Sequence, residues 1–371
     1  MTNWASVRAR FPVFNNSTYL NTAAAGPLAD STAQAAARYY ELMMNDGDVH
    51  WDDWLAQREQ VRAKVAALIN AEPDEIGLTI NTSSGMNLIV DALEKHGEVI
   101  SCDLEFPVTT IPWMHRRIPV HLVKSVDGVV HPDDLRRAMT TRTGIISMSY
   151  VQYSNGFRSD LSELSSIKGA HALVVNASQA AGVFDIDVKR MKIDALCSTG
   201  HKWMLSGYGS GFVYISKELQ AASRQRMIGW LSVQDPYGGA NNEVHLRHDV
   251  SSRAELGCPN FAGVFALGAS IEMMQSIGMD HIQARALELN QRLTARLQES
   301  GWKVLSPLGE EKYRSAETLV AADKKIVNDL AERKIYVTEK PEGFRVSTDF
   351  FNNEEDIEKL IDGLTGLTGL S

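Results

Sequence analysis

At 371 residues the chain is too long for one small core, and two domains are the natural expectation. Its net charge of −9 argues against nucleic acid and against an anionic membrane surface as partners, and no apolar run is long enough to span a bilayer. The opening stretch, MTNWASVRARFPVF, lacks the apolar core of a signal peptide, and the three cysteines (Cys102, Cys197, Cys258) make neither a disulfide framework nor a zinc pattern, so a cytoplasmic protein is expected.

Trp4 to Phe14 reads as a short amphipathic helix and an entry segment. Thr18-Tyr19-Leu20-Asn21 then runs as a strand into a small-residue turn, Thr22 to Pro27, where backbone can approach a ligand closely. Ser31 to Met44 and Asp52 to Ile69 carry helical apolar spacing. Asp74 to Ile80 reads as a strand. It ends at Asn81-Thr82-Ser83-Ser84-Gly85, and a helix pattern (Leu88, Ile89, Val90, Leu93) begins there. Hydroxyl residues at a helix start suit an anion, although Ser and Thr are also ordinary N-caps. Glu98 to Cys102 is a strand leading to Asp103-Leu104-Glu105-Phe106-Pro107, with Trp113 beyond it as a core residue. Val120 to Val123 is a strand, Pro132 to Thr140 a helix, and Gly144 to Tyr150 a strand running into Gln152-Tyr153-Ser154-Asn155-Gly156. Asp160 to Ile167 is a helix, and the strand Ala172 to Asn176 leads to Ala177-Ser178-Gln179.

Next comes a strand end (Ala195, Leu196, Cys197), a small polar turn (Ser198, Thr199, Gly200) and His201-Lys202-Trp203, followed by a glycine-spaced loop and the strand Phe212 to Ile215. A lysine directly after a strand, among small residues and a Trp, is not placed for solvent. Buried lysines lose pKa and become nucleophilic amines, the property a Schiff-base lysine needs. Strand–helix alternation from residue 76 to 215 predicts a mostly parallel sheet wrapped by helices, with its ligand at the carboxyl ends of the strands. The segments ending at Ser83, Phe106, Tyr153, Asn176 and Thr199 place polar or aromatic residues there. After a helix (Lys217 to Gln225), the stretch Ser232 to Asp249 is loop-rich and leads to Arg253-Ala254-Glu255-Leu256-Gly257-Cys258-Pro259-Asn260. Helices are predicted for Phe265 to Ile277, His281 to Ser300, Asn328 to Arg333 and Glu354 to Leu364. Strands are predicted for Lys303 to Leu305, Ala316 to Val320, Ile335 to Val337 and Phe344 to Ser347.

Val174-Val175-Asn176-Ala177-Ser178-Gln179, with Ser198-Thr199-Gly200-His201-Lys202 downstream, resembles the class V (cysteine desulfurase-like) family of fold-type I pyridoxal-phosphate (PLP) enzymes, isopenicillin N epimerase-like branch. The resemblance runs from about Tyr19 to the C-terminus. It implies an α/β large PLP-binding domain (residues 15–260) and a smaller α+β domain (residues 1–14 and 261–371), in a homodimer with the site at the interface. By the same resemblance Lys202 holds PLP as a Schiff base, and Thr82, Ser83, Thr199 and His201 serve its phosphate. Phe106 stacks on the ring, Asn176 faces the pyridine nitrogen, and Gln179 and Tyr153 meet the 3-oxygen region. Cys258 reaches the partner's phosphate. Arg345, in Gly343-Phe344-Arg345-Val346-Ser347, takes the α-carboxylate of an amino acid or amine-bearing substrate, and Asn21 lines the substrate side.

Three departures shape the expected chemistry. Asn176 stands where the family has Asp, so the ring nitrogen lacks a charge that would hold it protonated. Cys258 replaces a threonine. No cysteine lies in Glu332 to Arg345, where sulfur-transferring members carry one. β-Elimination (C–S lyase) or epimerase-like proton transfer is therefore expected ahead of transamination or desulfurase chemistry, with a PLP-binding member of little turnover as a further alternative.

Overall fold

The computed structural model describes residues 2–238 and 241–368. Its strands are β1 (Thr18–Tyr19), β2 (Ile76–Thr79), β3 (Glu98–Cys102), β4 (Val120–Val123), β5 (Thr143–Ser149), β6 (Ala172–Asn176), β7 (Ala195–Thr199), β8 (Gly211–Ile215), β9 (Glu317–Ala321), β10 (Ile335–Tyr336), β11 (Thr338–Lys340) and β12 (Gly343–Ser347). A seven-stranded sheet runs in the order β2-β8-β7-β6-β5-β3-β4. From β4 to β7 every pairing is parallel, and β8 is antiparallel to both β7 and β2. The central strands β5 to β8 are buried along nearly their whole length because helices cover both faces, as a parallel sheet requires. Parallel pairing also sets the carboxyl ends of β3, β5, β6 and β7 along one edge, and the site forms there.

The second unit is a three-stranded antiparallel sheet, β11-β12-β9, with the small parallel pair β1–β10 beside it. Leu289, Leu293 and Leu297 form a buried stripe on the helix Met279–Glu299. They pack with Leu330, Phe344, Val346, Leu360 and Leu364 into a core separate from that of the large sheet.

Several expectations need correction. The helix Phe261–Ile277 packs on the helices Asp30–Asp46 and Trp51–Leu68, and Phe261, Phe265 and Ile271 belong to the core of the large sheet. The packing thus divides the chain nearer residue 278 than at 260. Lys303 to Leu305 is not a strand; Val304 makes one isolated bridge to Val320. No helix links β6 to β7, and the segment between them crosses as a series of turns. Within the expected loop 232–249, Gly239 lies outside the described residues. Among the described residues no single helix is long and apolar enough to cross a membrane.

Candidate active site

The edge of the large sheet carries a cavity of about 200 Å³, lined by Thr82, Ser83, Phe106, Tyr153, Asn176, Gln179, Thr199, His201 and Lys202 among others. Nine residues singled out from sequence are therefore gathered in one place. Lys202 follows β7 directly. Its carbonyl accepts from Leu205 N–H at 3.0 Å, which curls the loop back on itself. Two glycines let neighbouring backbone lie against this loop. A Cβ on Gly26 would stand 2.3 Å from the Lys202 carbonyl oxygen, and one on Gly182 (φ +101°) 2.2 Å from that of Trp203. Gly26 N–H donates to the His201 carbonyl at 2.8 Å, so the turn expected from Thr22 to Pro27 is clamped onto the lysine loop. Burial pushes the Lys202 amine down to about 8, helped by the charges of Arg345 and Lys340 and opposed by Glu317. Its Nζ lies 5.8 Å from the centre of the Phe106 ring.

One end of the cavity is built for an anion. Asn81 caps the helix Thr82–Leu93 by accepting from Ser84 N–H at 2.9 Å. The amides of Thr82 and Ser83, at its first two positions, have no partner within the helix. The Thr82 hydroxyl meets that of Ser178 at 2.6 Å. Thr199 Oγ1 and His201 Nδ1 are 2.8 Å apart, and Tyr208 stacks on the imidazole with centroids 4.5 Å apart. Burial, with Lys202 adding to it, pushes His201 down to about 4, so it is a neutral hydrogen-bonding group at pH 7.

Asn176, the last residue of β6, is held by both ends of its amide. Its Oδ1 accepts from the Ser178 amide at 3.1 Å and the Ser178 hydroxyl at 2.6 Å, and its Nδ2 donates to Thr109 Oγ1 at 3.0 Å. The Thr109 side chain also hydrogen-bonds Glu105, a buried carboxyl that accepts from Ser149 and Gln152 as well. Burial pushes Glu105 up, and these donors pull it back.

On the far side the expected substrate residues are present but engaged. Asn21 Oδ1 accepts from the Thr338 hydroxyl. Arg345 is buried, with Nη1 2.8 Å from the Tyr153 carbonyl and 3.2 Å from Glu317 Oε2. Lys340 Nζ donates to the same carbonyl at 3.0 Å. Phe106 and Tyr153 meet edge to face with centroids 4.9 Å apart. Gln179 is also engaged: Nε2 donates to the Ala23 carbonyl at 3.0 Å and Oε1 accepts from Trp203 Nε1 at 2.7 Å. Cys258 is exposed and lines a different cleft with Thr79, Ile80 and Asn87, so within one chain it is not part of the Lys202 cavity. Cys102 and Cys197 are buried, and neither lines the cavity. Glu317, Lys340, Thr109 and Glu105 were not anticipated. Each lies in a segment whose one-dimensional pattern reads as plain strand or loop.

A lysine with a depressed amine, a helix N-terminus for an anion, an aromatic face and an amide around one cavity match the groups of PLP: aldehyde, phosphate, pyridine ring and ring nitrogen. With this sheet order, they define a fold-type I PLP-dependent enzyme. The aminotransferase class-V family model matches residues 18–360. An uncharacterised aminotransferase of Bacillus subtilis is 25% identical over 367 residues, covering 97% of each chain. Isopenicillin N epimerase of Streptomyces clavuligerus is 26% identical over 398 aligned residues, covering 99% of each. The apo structure of a cysteine desulfurase from Thermococcus onnurineus superimposes with a TM-score of 0.90 at 22% identity, covering 100% of this chain and 99% of that one. The chain belongs to the class-V aminotransferase family of PLP-dependent enzymes.

Proposed function

We propose that the protein acts on an amino acid by β-elimination, releasing a Cβ leaving group such as a thiol, with epimerase-like proton transfer at Cα as the second reading. The observation that carries this is Lys202: an amine lowered to about 8, facing Phe106 across a cavity with an anion-binding helix end. When bound, PLP supplies a sink for negative charge at the substrate Cα. Lys202 would hold the cofactor and would serve as the base that moves the Cα proton. Thr82, Ser83, Thr199 and His201 would hold the phosphate, and Phe106 would cover the ring. Gln179 and Tyr153 would serve the 3-oxygen.

Asn176 shapes the choice among reactions. Its Oδ1 already accepts from two Ser178 donors and one Nδ2 hydrogen goes to Thr109. The remaining Nδ2 hydrogen is a donor, and a donor suits an unprotonated ring nitrogen. Such a ring is a weaker sink, which disfavours transamination most. No cysteine lines the cavity to carry a persulfide, which favours release of free product over desulfurase chemistry. The epimerase-like reading draws on the full-length similarity to isopenicillin N epimerase. A homodimer belongs to the same reading, with Cys258 facing the partner's phosphate from its exposed cleft.

The test is to follow a visible absorbance band on adding PLP, then to assay β-chloro-L-alanine and L-cysteine for pyruvate release and to watch Cα hydrogen exchange in D2O. Pyruvate supports the lyase; exchange with racemisation and no pyruvate supports the epimerase. Keto acid formed only together with pyridoxamine phosphate would overturn both. Because only the neutral amine attacks the aldehyde, the rate of PLP capture is expected to rise with pH and level off above about 8. A stopped-flow pH series measures this, and a rate still climbing towards pH 10 would contradict the depressed amine.

A further inference from the structure

The antiparallel sheet brings four polar side chains to one face beside Lys202. Thr338 of β11 lies directly opposite Arg345 of β12, and Glu317 of β9 lies opposite Ser347, two residues along β12 from Arg345. Side chains alternate along a strand, so Thr338, Lys340, Arg345 and Glu317 share that face. Arg345 Nη1 is 3.2 Å from Glu317 Oε2, and both residues are buried. Neither Glu317 oxygen has a hydrogen-bond partner among the described residues, and neither does Arg345 Nε. A substrate carboxylate set on Arg345 alone would meet a guanidinium already neutralised, with a second carboxylate close behind it. In a poorly hydrated place that repulsion is strong.

Lys340 changes the balance. Its Nζ reaches the Tyr153 carbonyl at 3.0 Å, the oxygen Arg345 also uses, and lies 4.3 Å from the centre of the Tyr153 ring. It is half-buried and forms no ion pair among the described residues. The Tyr153 ring abuts Phe106, and Phe106 faces Lys202 Nζ. Burial pushes the Glu317 carboxyl up while Arg345, Lys202 and Lys340 pull it back; with Glu317 ionised, two cations against one carboxylate leave a single positive charge behind Tyr153, a residue of the cavity wall.

We propose that Lys340, gathered with Arg345 on the Tyr153 carbonyl while Glu317 cancels one of their two charges, is the specificity-determining cation for the substrate carboxylate that the family resemblance already assigns to Arg345. The inference rests on the PLP amino-acid reading above and narrows it. The substrate class is an amine with a single carboxylate. Decarboxylated amines lack the group the two cations need, and dicarboxylates bring a charge they cannot balance.

The test titrates PLP-loaded protein with L-alanine, ethylamine and L-aspartate, reading half-saturation from the visible absorbance change. Wild-type protein is expected to prefer L-alanine over ethylamine by at least about tenfold, the weight of a hydrogen-bonded charge, and to bind L-aspartate more weakly than L-alanine. Lys340→Met should erase most of that preference, and Lys340→Arg should keep it. Glu317→Gln should tighten L-alanine and admit L-aspartate, since it frees the Arg345 charge. Preference unchanged in Lys340→Met, or no preference in wild-type protein, overturns this role of Lys340. Failure of the underlying reading shows earlier and separately: no Lys202-dependent absorbance band forms before any amine is added, and the inference falls with it.

Discussion

Replacing Lys202 with alanine is expected to abolish the borohydride-reducible PLP band and to lower turnover by roughly 10²–10⁴-fold, the usual range for removing a positioned acid–base group. Two roles are lost together, holding the cofactor and moving the Cα proton, and no neighbour replaces both. His201 is adjacent, but it is pushed down to about 4 and bonded to Thr199. Lys340 is lowered to about 8 as well, but its Nζ is tied to the Tyr153 carbonyl. The cofactor-free variant should fold at least as well as wild type. A lysine whose folded-state pKa is depressed destabilises the fold in full below that pKa, and the cost fades as pH rises to the ordinary lysine value. Removing Lys202 relieves that cost at pH 7, so thermal melting without PLP should hold or rise. A variant that loses activity and also melts lower would place Lys202 in structure, not in chemistry.

Asn176→Asp is expected to have the second largest effect. A carboxylate beside the ring nitrogen favours its protonated form by 1–3 pKa units in the usual case, a change of roughly tenfold or more in the protonated fraction. Ser178 still supplies two donors to an aspartate there, so the side chain is held where Asn176 is held. The variant should accumulate about tenfold more of the long-wavelength absorbance that marks charge delocalised into the ring, and its transamination side reaction should grow relative to elimination. Stopped-flow spectra with L-alanine measure the first, and pyridoxamine phosphate formed per turnover measures the second. Unchanged spectra and partition would mean that the donor left on Asn176 does not govern the ring nitrogen.

Much of the site was legible because it is local in sequence. Thr199 ends one strand and His201 and Lys202 follow within three residues, and Thr82 and Ser83 begin a helix whose N-cap, Asn81, is adjacent. Trp113 was read as core and is fully buried. The residues that sequence did not deliver are those brought in by register. Glu317 meets Arg345 only because β9 pairs with β12, and Lys340 joins them through the turn from β11 to β12. Arg345 itself was readable as a motif, but its buried acidic partner was not, so it looked free. The packing partner of the helix after residue 260 was illegible for a different reason. The helix Phe261–Ile277 is buried on nearly every side and carries no amphipathic stripe, so its pattern did not reveal which core it joins. The strand expected at Lys303 to Leu305 has the residue types of an edge strand but finds a single bridge partner.

Lys202 and Lys340 are rivals for PLP by amine pKa alone, both lowered to about 8. Reducing PLP-loaded protein with borohydride, digesting it and mapping the phosphopyridoxyl group by mass spectrometry decides between them. One modified peptide is expected, carrying the group on Lys202. Label on Lys340, label scattered over surface lysines, or no label would contradict it.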